Sequence, residues 1–434
     1  MISGSTAIEI ADCIRALVQS GHYQPGASLP PVRELAETLG VNRNTVAAAY
    51  QRLTKAGLAV AQGRLGTSIV APPSAGEQEG LSADTPLIDL AHGNPNADWL
   101  PEVSTLLGGR MSKPFLYGED TILPALREWG KLWMTPDCPA GWELELTHGA
   151  VDGIERLAVA HLVAGDKVAV EDPCFLGSIN ALRIGGMQAV GVAIDDEGMQ
   201  PQALARVLEE GARAVLLTPR ANNPTGCSLS KRRAEELQRV LAEHPNVLVI
   251  LDDHFALLAD TPYHSVIPAS TKRWALLRSV SKGLGPDLRL AFVACDADTA
   301  ARLRIRLAPG MTWVSHLLQA IVAACLESEQ VRDTVQAARA AYAARRDELH
   351  AALTQQGIAV PRPDGGLNVW IPVVQDAKDL AYALAKKGWL VRLGSAYAVQ
   401  AHPPAHAQAI RITVSNLQDG QAAQFARDLK ACLL

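Results

Sequence analysis

Residues 279–289 read Ser-Val-Ser-Lys-Gly-Leu-Gly-Pro-Asp-Leu-Arg, which places Lys282 among small, flexible neighbours and two hydroxyls, with Arg289 seven residues later. A lysine amine in such surroundings can condense with an aldehyde. Nearby hydroxyls and a guanidinium can hold a phosphate. The stretch therefore predicts a site for pyridoxal 5′-phosphate (PLP), in which Lys282 forms the Schiff base.

Three further side chains in the middle of the chain meet the other needs of PLP. The cofactor needs a carboxylate against its pyridine nitrogen, a polar partner for its ring hydroxyl and an aromatic face on its ring. Asp252 follows the apolar run NVLVIL, Asn223 lies in ANNPTG after the run AVLLT, and Phe175 lies in EDPCF after the run KVAV. These runs predict strands, and open α/β sheets place ligand groups at the carboxyl ends of their strands.

The phosphate of PLP also needs a cup of hydrogen-bond donors. Residues 147–153, THGAVDG, are typical of a turn into a helix, and the free N–H groups of Ala150 and Val151 would point at an anion. Ser279 and Arg289 would complete the cup. Each motif alone is common in ordinary turns and solvated loops, but their joint order favours a PLP site.

That order resembles fold-type I aminotransferases over residues 86–434. The resemblance implies that Lys282 forms the Schiff base, that Asp252 binds the pyridine nitrogen and that Asn223 binds the ring hydroxyl. It also implies a homodimer, because sites of this family form where two subunits meet.

Two more residues match positions of that family, and one position departs from it. Tyr117, in LYGED, matches the tyrosine that reaches the phosphate of the neighbouring subunit. Arg411, in AIRITVS, matches the arginine that clamps a substrate carboxylate. The tyrosine that usually follows the aspartate by two or three residues is missing, and His254 and Phe255 take those places. Since histidine can hydrogen-bond the ring oxygen, we expect His254 to bind the cofactor.

The first seventy residues have a different pattern. Apolar spacing predicts a helix over residues 6–20, a second over 31–39 with a proline in its first turn, and a third over 43–55 that Asn42 caps. Residues 58–70 alternate apolar side chains around two glycines and predict a short hairpin. This order of elements predicts a winged helix-turn-helix domain.

The second helix of a helix-turn-helix pair enters the major groove with its amino terminus first. Its first turn here presents Arg43, Asn44 and Thr45, which suit guanine, adenine and phosphate or base edges. Arg33 and Arg64, at the preceding helix start and the hairpin tip, are placed for phosphate or minor-groove contact. A docking domain with merely solvated arginines is the alternative, but the order of elements favours double-stranded DNA.

This N-terminal region resembles the GntR-type winged helix along nearly its whole length. The resemblance rests on the runs LPPVRELA and LGVNRNTV and on the closing GxxGT. It implies DNA contacts at Arg33, Arg43, Thr45 and Arg64. Pro31 stands where that family often has serine, which removes one possible phosphate-binding hydroxyl.

Three parts are predicted: a GntR-type winged helix-turn-helix over residues 1–70, a linker over 71–85 with almost nothing to bury, and a PLP-binding and dimerisation domain over 86–434. Alternating strand and helix patterns in the last part predict an α/β fold with a central, mostly parallel sheet. The aminotransferase resemblance adds a small C-terminal α+β subdomain. This combination resembles MocR regulators, and within that group it is similar to those associated with vitamin B6 salvage.

The charge of the chain is uneven. Residues 1–70 carry six Lys/Arg and four Asp/Glu, a net charge of +2. Since the whole chain has a net charge of −5, the remaining residues have a net charge of −7. This distribution favours a nucleic-acid contact confined to the N-terminal region. The seven cysteines are scattered without a CxxC pair, so we expect no metal site and a reducing compartment. With no signal-peptide pattern and no apolar run of membrane-span length, we expect a cytoplasmic protein with no membrane partner.

Three functions are open at this point. The favoured hypothesis is a homodimeric transcriptional regulator, a repressor in vitamin B6 salvage, which binds operator DNA and senses PLP, a related vitamer or an amine. The alternative is an active PLP-dependent aminotransferase with an accessory DNA-binding domain. A body that only dimerises is the third. Two complete sites on one chain favour the regulator, with a residual transaminase half-reaction left open.

Overall fold

The computed structural model covers most of the chain and divides it in two. The described residues are 1–61, 66–69, 78–80, 85–106, 115–399 and 408–433. Contacts separate two compact units, Met1–Gly76 and Glu77–Leu434, here called the head and the body. No helix within the described ranges is long and apolar enough to cross a membrane.

Three helices and a small sheet form the described part of the head. The helices are α1 (Ala7–Gln19), α2 (Val32–Leu39) and α3 (Arg43–Lys55), and the strands are β1 (Ala59–Ala61) and β2 (Thr67–Ile69). Their apolar faces meet in one core, which includes Ile10, Ile14, Leu35, Val46 and Leu53. The predicted winged helix-turn-helix is therefore the fold of the head.

Side-chain caps set where two of these helices begin. Thr6 Oγ1 accepts a hydrogen bond from the backbone N–H of Glu9 at 3.2 Å, and the Glu9 carboxylate accepts one from the Thr6 N–H at 3.2 Å. Asn42 Oδ1 accepts from the N–H of Asn44 at 2.8 Å and fixes the start of α3. The sequence suggested that Pro31 lies in the first turn of α2. In the structure Pro31 immediately precedes that helix.

The hairpin of the head, its wing, pairs with one more segment than the sequence predicted. Strands β1 and β2 pair antiparallel, with Ala59 opposite Ile69. Ser28 forms a further bridge with Ser68, so the segment before α2 joins the hairpin. A single bridge leaves no alternating pattern in the sequence, and it was missed for that reason.

An eight-stranded sheet forms the centre of the body. Its strands are β4 (Glu143–Thr147), β5 (Lys167–Asp172), β6 (Gln188–Asp195), β7 (Gly198–Met199), β8 (Ala214–Leu217), β9 (Leu248–Asp252), β10 (Trp274–Ser279) and β11 (Ala291–Cys295). They lie in the order β4-β11-β10-β9-β8-β5-β6-β7. The pairings from β10 through β6 are parallel and the three outer pairings are antiparallel. The sheet is mostly parallel, as predicted.

Both faces of this sheet are buried, which explains the continuous apolar runs of its strands. Alternate residues of β5 belong to different cores: Ala169 to one, Val168 and Val170 to the other. The helices that supply these cores and their surroundings are α4 (Pro124–Met134), α5 (Ala150–His161), α6 (Leu176–Ile184), α7 (Pro201–Glu209), α8 (Lys231–Ala242), α9 (Ser281–Leu284), α10 (Ala297–Leu307), α11 (His316–Glu327) and α12 (Glu329–Gln355).

A smaller α+β layer ends the chain, as the resemblance implied. It contains β12 (Asn368–Pro372), β14 (Arg392–Leu393) and β15 (Ala409–Thr413), with α13 (Ala377–Lys386) and α14 (Gln421–Cys432). Strand β15 lies between β12 and β14 in an antiparallel sheet. A short parallel pair, β3 (Ile88–Asp89) and β13 (Trp389–Leu390), joins the start of the body to this layer.

The topology gathers four loops at one edge of the large sheet. Strands β5, β8, β9 and β10 run parallel, so their carboxyl ends lie on the same side. The segments that follow them carry Phe175, Asn223, His254 and Lys282. Residues that are distant in sequence are thus placed where α/β sheets bind ligands.

Candidate functional site

A cavity opens at the carboxyl edge of the parallel strands. It measures about 820 Å³ counted out to its open mouth. The residues predicted for the cofactor that line it are Ala150, Val151, Phe175, Asn223, Asp252, His254, Ser279, Lys282 and Arg289. Glu79, Gly93 and Asn94 also line it, and the sequence did not predict them.

Lys282 lies in α9, the single helical turn after β10. Its Nζ donates a hydrogen bond to the backbone oxygen of Gly93 at 3.0 Å. Burial lowers the pKa of the Lys282 amine, the Glu79 carboxylate opposes this shift, and the Arg411 guanidinium adds to it. A lower pKa leaves more of the amine uncharged, and only the uncharged amine attacks an aldehyde.

Asp252 brings a carboxylate with an unsatisfied oxygen to the cavity. The residue is 3% exposed, and within the described part of the chain its Oδ1 has no hydrogen-bond partner. Burial raises the pKa of Asp252, His254 at 3.9 Å lowers it, and the neighbouring Asp253 raises it further. A buried polar atom without a partner is costly, so the site suits a ligand that donates a hydrogen bond to this oxygen.

Two nearly parallel aromatic rings line the cavity. The rings of Phe175 and His254 are nearly parallel, at 15°, with centroids 6.4 Å apart. Two faces that enclose a flat ring at van der Waals contact lie about 7 Å apart. The hydrogen bond from His254 to the ring oxygen of the cofactor stays a prediction. Phe255 packs into the core, 2% exposed.

Donors for an anion lie around the start of α5. Gly149 precedes that helix with φ 93°, and a Cβ there would lie 2.9 Å from Arg289 Nη2, so a side chain at this position would displace the guanidinium. The N–H groups of the first turn, beginning at Ala150, have no acceptor within the helix. Ser279 Oγ lies 3.1 Å from Ser281 Oγ beside them in the cavity lining. This corner suits a phosphate.

Arg411, on β15, is fully buried and already faces a carboxylate of this chain. Its Nη1 donates to Asn223 Oδ1 at 3.2 Å and to Glu79 Oε1 at closer range. Its Nη2 donates to the backbone oxygen of Ala91 at 2.7 Å, and its guanidinium lies over the Tyr397 ring at 5.1 Å. The residue predicted to clamp a substrate carboxylate is therefore paired with Glu79.

Tyr117 does not line the cavity. Its side chain is 91% exposed and meets Trp313 edge-on, with ring centroids 5.6 Å apart. Its predicted contact is with the phosphate of a neighbouring subunit, and that contact stays a prediction.

The predicted DNA-reading residues open α3. Arg43 and Asn44 are exposed in its first turn, and Thr45 is half-buried. The Asn42 cap orders the same turn, so these side chains project from a fixed backbone. An exposed, ordered first turn is what a recognition helix presents to the major groove.

Arg33 and Arg43 share one acidic neighbour. Arg33 Nε donates to Glu37 Oε1 at 3.0 Å, and Arg43 Nη2 lies 3.9 Å from the same oxygen. Both arginine side chains are more than half exposed, at 74% and 61%. Such ion pairs are weak, so either guanidinium can exchange its partner for DNA. Arg64 lies outside the described residues.

Comparisons with known proteins match both units. A model of bacterial regulatory proteins, gntR family, matches residues 6–69, and a model of aminotransferase class I and II matches residues 87–429. The vitamin B6 salvage pathway transcriptional repressor PtsJ of Salmonella typhimurium is 52% identical over 433 residues, which cover 100% of both chains. This chain belongs to the MocR-type regulators.

More distant relatives also match this MocR-type chain. The pyridoxine biosynthesis transcriptional regulator PdxR of Corynebacterium glutamicum is 27% identical over 415 residues, covering 91% of this chain and 89% of its own. Kynurenine aminotransferase of Pyrococcus horikoshii matches with a TM-score of 0.71 at 22% identity, over 80% of this chain and 91% of its own. LysN of Thermus thermophilus, an α-aminoadipate aminotransferase, matches with a TM-score of 0.70 at 21% identity, over 80% of this chain and 92% of its own. These two structures show that the body has the aminotransferase fold.

Sequence reasoning missed Glu79. It placed residues 71–85 in a linker with almost nothing to bury, yet the Glu79 side chain is only 11% exposed and lines the cavity. Among its hydrogen-bond partners in the described part of the chain, the nearest in sequence is Asn223, which is 144 residues away. A single glutamate in a polar stretch gives no local signal of such a contact.

Proposed function

We propose that this MocR-type regulator binds PLP in its body and that PLP, a related vitamer or an amine changes its affinity for operator DNA. One observation carries the proposal: the half-buried Lys282 and a buried Asp252 oxygen without a partner in the described part of the chain line one cavity. The head of the same chain has an exposed recognition helix. The 52% identical relative, named as a repressor of vitamin B6 salvage, supports repression of salvage genes.

The residues of the cavity divide the work of holding the cofactor. PLP, when bound, supplies an aldehyde and a ring that draws electrons toward its protonated nitrogen. Lys282, whose pKa burial lowers, would be the amine that captures the aldehyde. Asp252 would hold the proton on the ring nitrogen, Phe175 would supply an aromatic wall, and Arg289 with the N–H of Ala150 would bind the phosphate.

The proposal includes a homodimer. Apolar side chains are exposed around Tyr117: Leu116 is 67% exposed, Met311 50% and Leu317 56%, and Tyr117 itself contacts Trp313. Soluble monomers rarely expose large contiguous apolar patches. A second copy that covers this surface would receive Tyr117 near its own phosphate corner. Two heads would then read paired half-sites of the operator. We place this regulator in the cytoplasm, with its DNA.

An active aminotransferase is the second candidate, because Lys282, Asp252 and Arg411 are all present. Steady turnover of an amino acid and a keto acid separates the two functions. Multiple turnovers at ordinary enzyme rates, ~1–10³ s⁻¹, would favour the enzyme. A half-reaction that stops before one catalytic cycle is complete would favour the sensor.

A gel-shift titration tests the regulator directly. The DNA is the region upstream of the protein's own gene and its neighbours, and the proteins are the wild type and Lys282→Ala, each with and without PLP. We expect PLP to change the wild-type affinity by about 5- to 150-fold, the usual range of allosteric coupling, and to change that of Lys282→Ala much less. Absence of DNA binding under both conditions at low salt would contradict the proposal.

The covalent assignment has its own test. Borohydride reduction of the PLP-loaded protein followed by mass spectrometry should find the cofactor on Lys282. Attachment to another lysine would show that the cavity is misassigned.

A further inference from the structure

Glu79 makes a full set of contacts for a carboxylate. Its Oε1 accepts hydrogen bonds from Tyr397 OH at 2.7 Å and from Arg411 Nη1, and its Oε2 accepts one from Asn223 Nδ2 at 3.2 Å. The side chain is 11% exposed and that of Arg411 is 0% exposed. A cation, a hydroxyl and an amide thus converge on one buried carboxylate, the arrangement that recognises a carboxylate ligand.

The backbone around Glu79 is shaped to admit it. Gly93 has φ 72°, and a Cβ built there would overlap Glu79 Oε2 and lie 3.1 Å from Arg411 Nη2. Its N–H donates to Thr413 Oγ1 at 3.1 Å, so the loop is held close to β15. The same Gly93 accepts the hydrogen bond from Lys282. Glu79, Arg411 and Lys282 therefore lie around one glycine.

We propose that Glu79 is a specificity-determining residue: it fills the carboxylate subsite at Arg411 and excludes effectors that carry an α-carboxylate. This inference rests on the proposed function, because it concerns which ligands the sensor cavity accepts. The effector class that remains is a ligand without that group, such as PLP itself or a simple amine.

The exclusion follows from competition within one chain. Glu79 is tethered at its site, and a short tether gives an effective concentration in the ~mM range. A free amino acid must break the charge-assisted bonds of Glu79 before it reaches Arg411. The phosphate of PLP would be bound by other donors, at Arg289 and Ala150, so Glu79 would not compete with it.

Burial alone would raise the pKa of Glu79, but the charges of Arg411 and Lys282 and the hydrogen bonds from Tyr397 and Asn223 bring it below its ordinary value. The carboxylate is therefore ionised at neutral pH. An ionised carboxylate is the species with which a ligand carboxylate must compete.

The test compares a ligand with and without a carboxylate. PLP-loaded wild type, Glu79→Ala and Glu79→Gln are titrated with L-alanine and with ethylamine, its analogue without the carboxylate, and the absorbance of the cofactor reports binding. We expect Glu79→Ala to bind L-alanine at least about tenfold more tightly than wild type, with ethylamine affinity unchanged within about twofold. Glu79→Gln, which keeps the shape but not the charge, should lie between. Equal L-alanine affinity in wild type and both variants would overturn the proposal.

Two controls locate the effect. Glu102→Ala removes an exposed glutamate of the body and should behave as wild type. Adding Arg411→Ala to Glu79→Ala should abolish the gain for L-alanine, and a gain that survives would place the subsite elsewhere.

A cofactor-free measurement separates this inference from the proposed function. Propionate, which is L-alanine without its amine, should raise the melting temperature of cofactor-free Glu79→Ala and leave that of wild type unchanged. This arm does not need PLP binding, so it can succeed if the PLP proposal fails. A rise of equal size in wild type would contradict the role of Glu79.

Discussion

Replacement of Asp252 by asparagine separates a role in cofactor binding from a role in folding. Asp252 is 3% exposed, and one of its oxygens has no partner in the described part of the chain. In the cofactor-bound protein that oxygen would pair with the protonated ring nitrogen of PLP. Asparagine keeps the shape of the side chain but removes the counter-charge.

The expected loss follows from the burial of this pair. Removing one partner of a buried ion pair costs about 3–5 kcal/mol, which is roughly two to four orders of magnitude in the dissociation constant. The same substitution should increase, and not decrease, the stability of the cofactor-free protein. Because burial raises the pKa of Asp252, the ionised carboxylate is disfavoured there, and a neutral amide removes that cost.

Two measurements on Asp252→Asn check these opposite signs. Equilibrium dialysis should give a PLP dissociation constant at least about a hundredfold higher than wild type. The melting temperature of the cofactor-free variant should be equal to or above that of wild type at neutral pH. Asp287→Asn, an exposed aspartate beside the site, is the matched control and should change neither value. PLP affinity within threefold of wild type would refute the assignment of Asp252.

Three further predictions concern DNA and pH. Arg43→Ala should weaken operator binding by about 1–3 kcal/mol and relax base preference at one position, measured by fluorescence anisotropy on a set of operator variants; a uniform loss on all sequences would assign Arg43 to the phosphates. Arg64→Ala should weaken all sequences alike and reduce the slope of log affinity against log salt by about 0.9, and a change in base preference would contradict a phosphate contact. Burial raises the pKa of Glu171 to about 8, whereas a glutamate in an unfolded chain has a pKa of about 4.3. Because the native state keeps the proton to higher pH, the stability of the fold decreases as the pH rises between these two values. Glu171→Gln should therefore gain melting temperature over wild type as pH rises from 5 to 8, and a constant difference would show that the carboxyl is not protonated in the fold.

Local pattern was a reliable guide wherever one element depends on its own residues. The cap at Asn42 and the apolar spacing after it predicted α3 with the observed bounds. The runs before Phe175, Asn223 and Asp252 predicted strands because both faces of the sheet are buried, so that nearly every residue must be apolar.

Local pattern was a poor guide to contacts between distant segments. The Ser28 bridge to the hairpin and the role of His254 as a ring parallel to Phe175 depend on where the backbone places each residue. Neither leaves a repeat or a motif in the chain. The sequence predicts a hydrogen bond from His254 to the cofactor, and the structure adds that the His254 ring lies nearly parallel to that of Phe175.

The amino-acid sequence by itself predicted the helix-turn-helix order, the mostly parallel sheet and several of the residues that line the cavity with Lys282, because periodicity and strand-end positions are properties of short segments. The tertiary structure alone decided that the Arg411 guanidinium is paired with the Glu79 carboxylate. A charge–charge contact across the body depends on where the fold places two distant segments, and the sequence of neither segment indicates that it meets the other. The ligand that this cavity admits is for that reason a property of the fold.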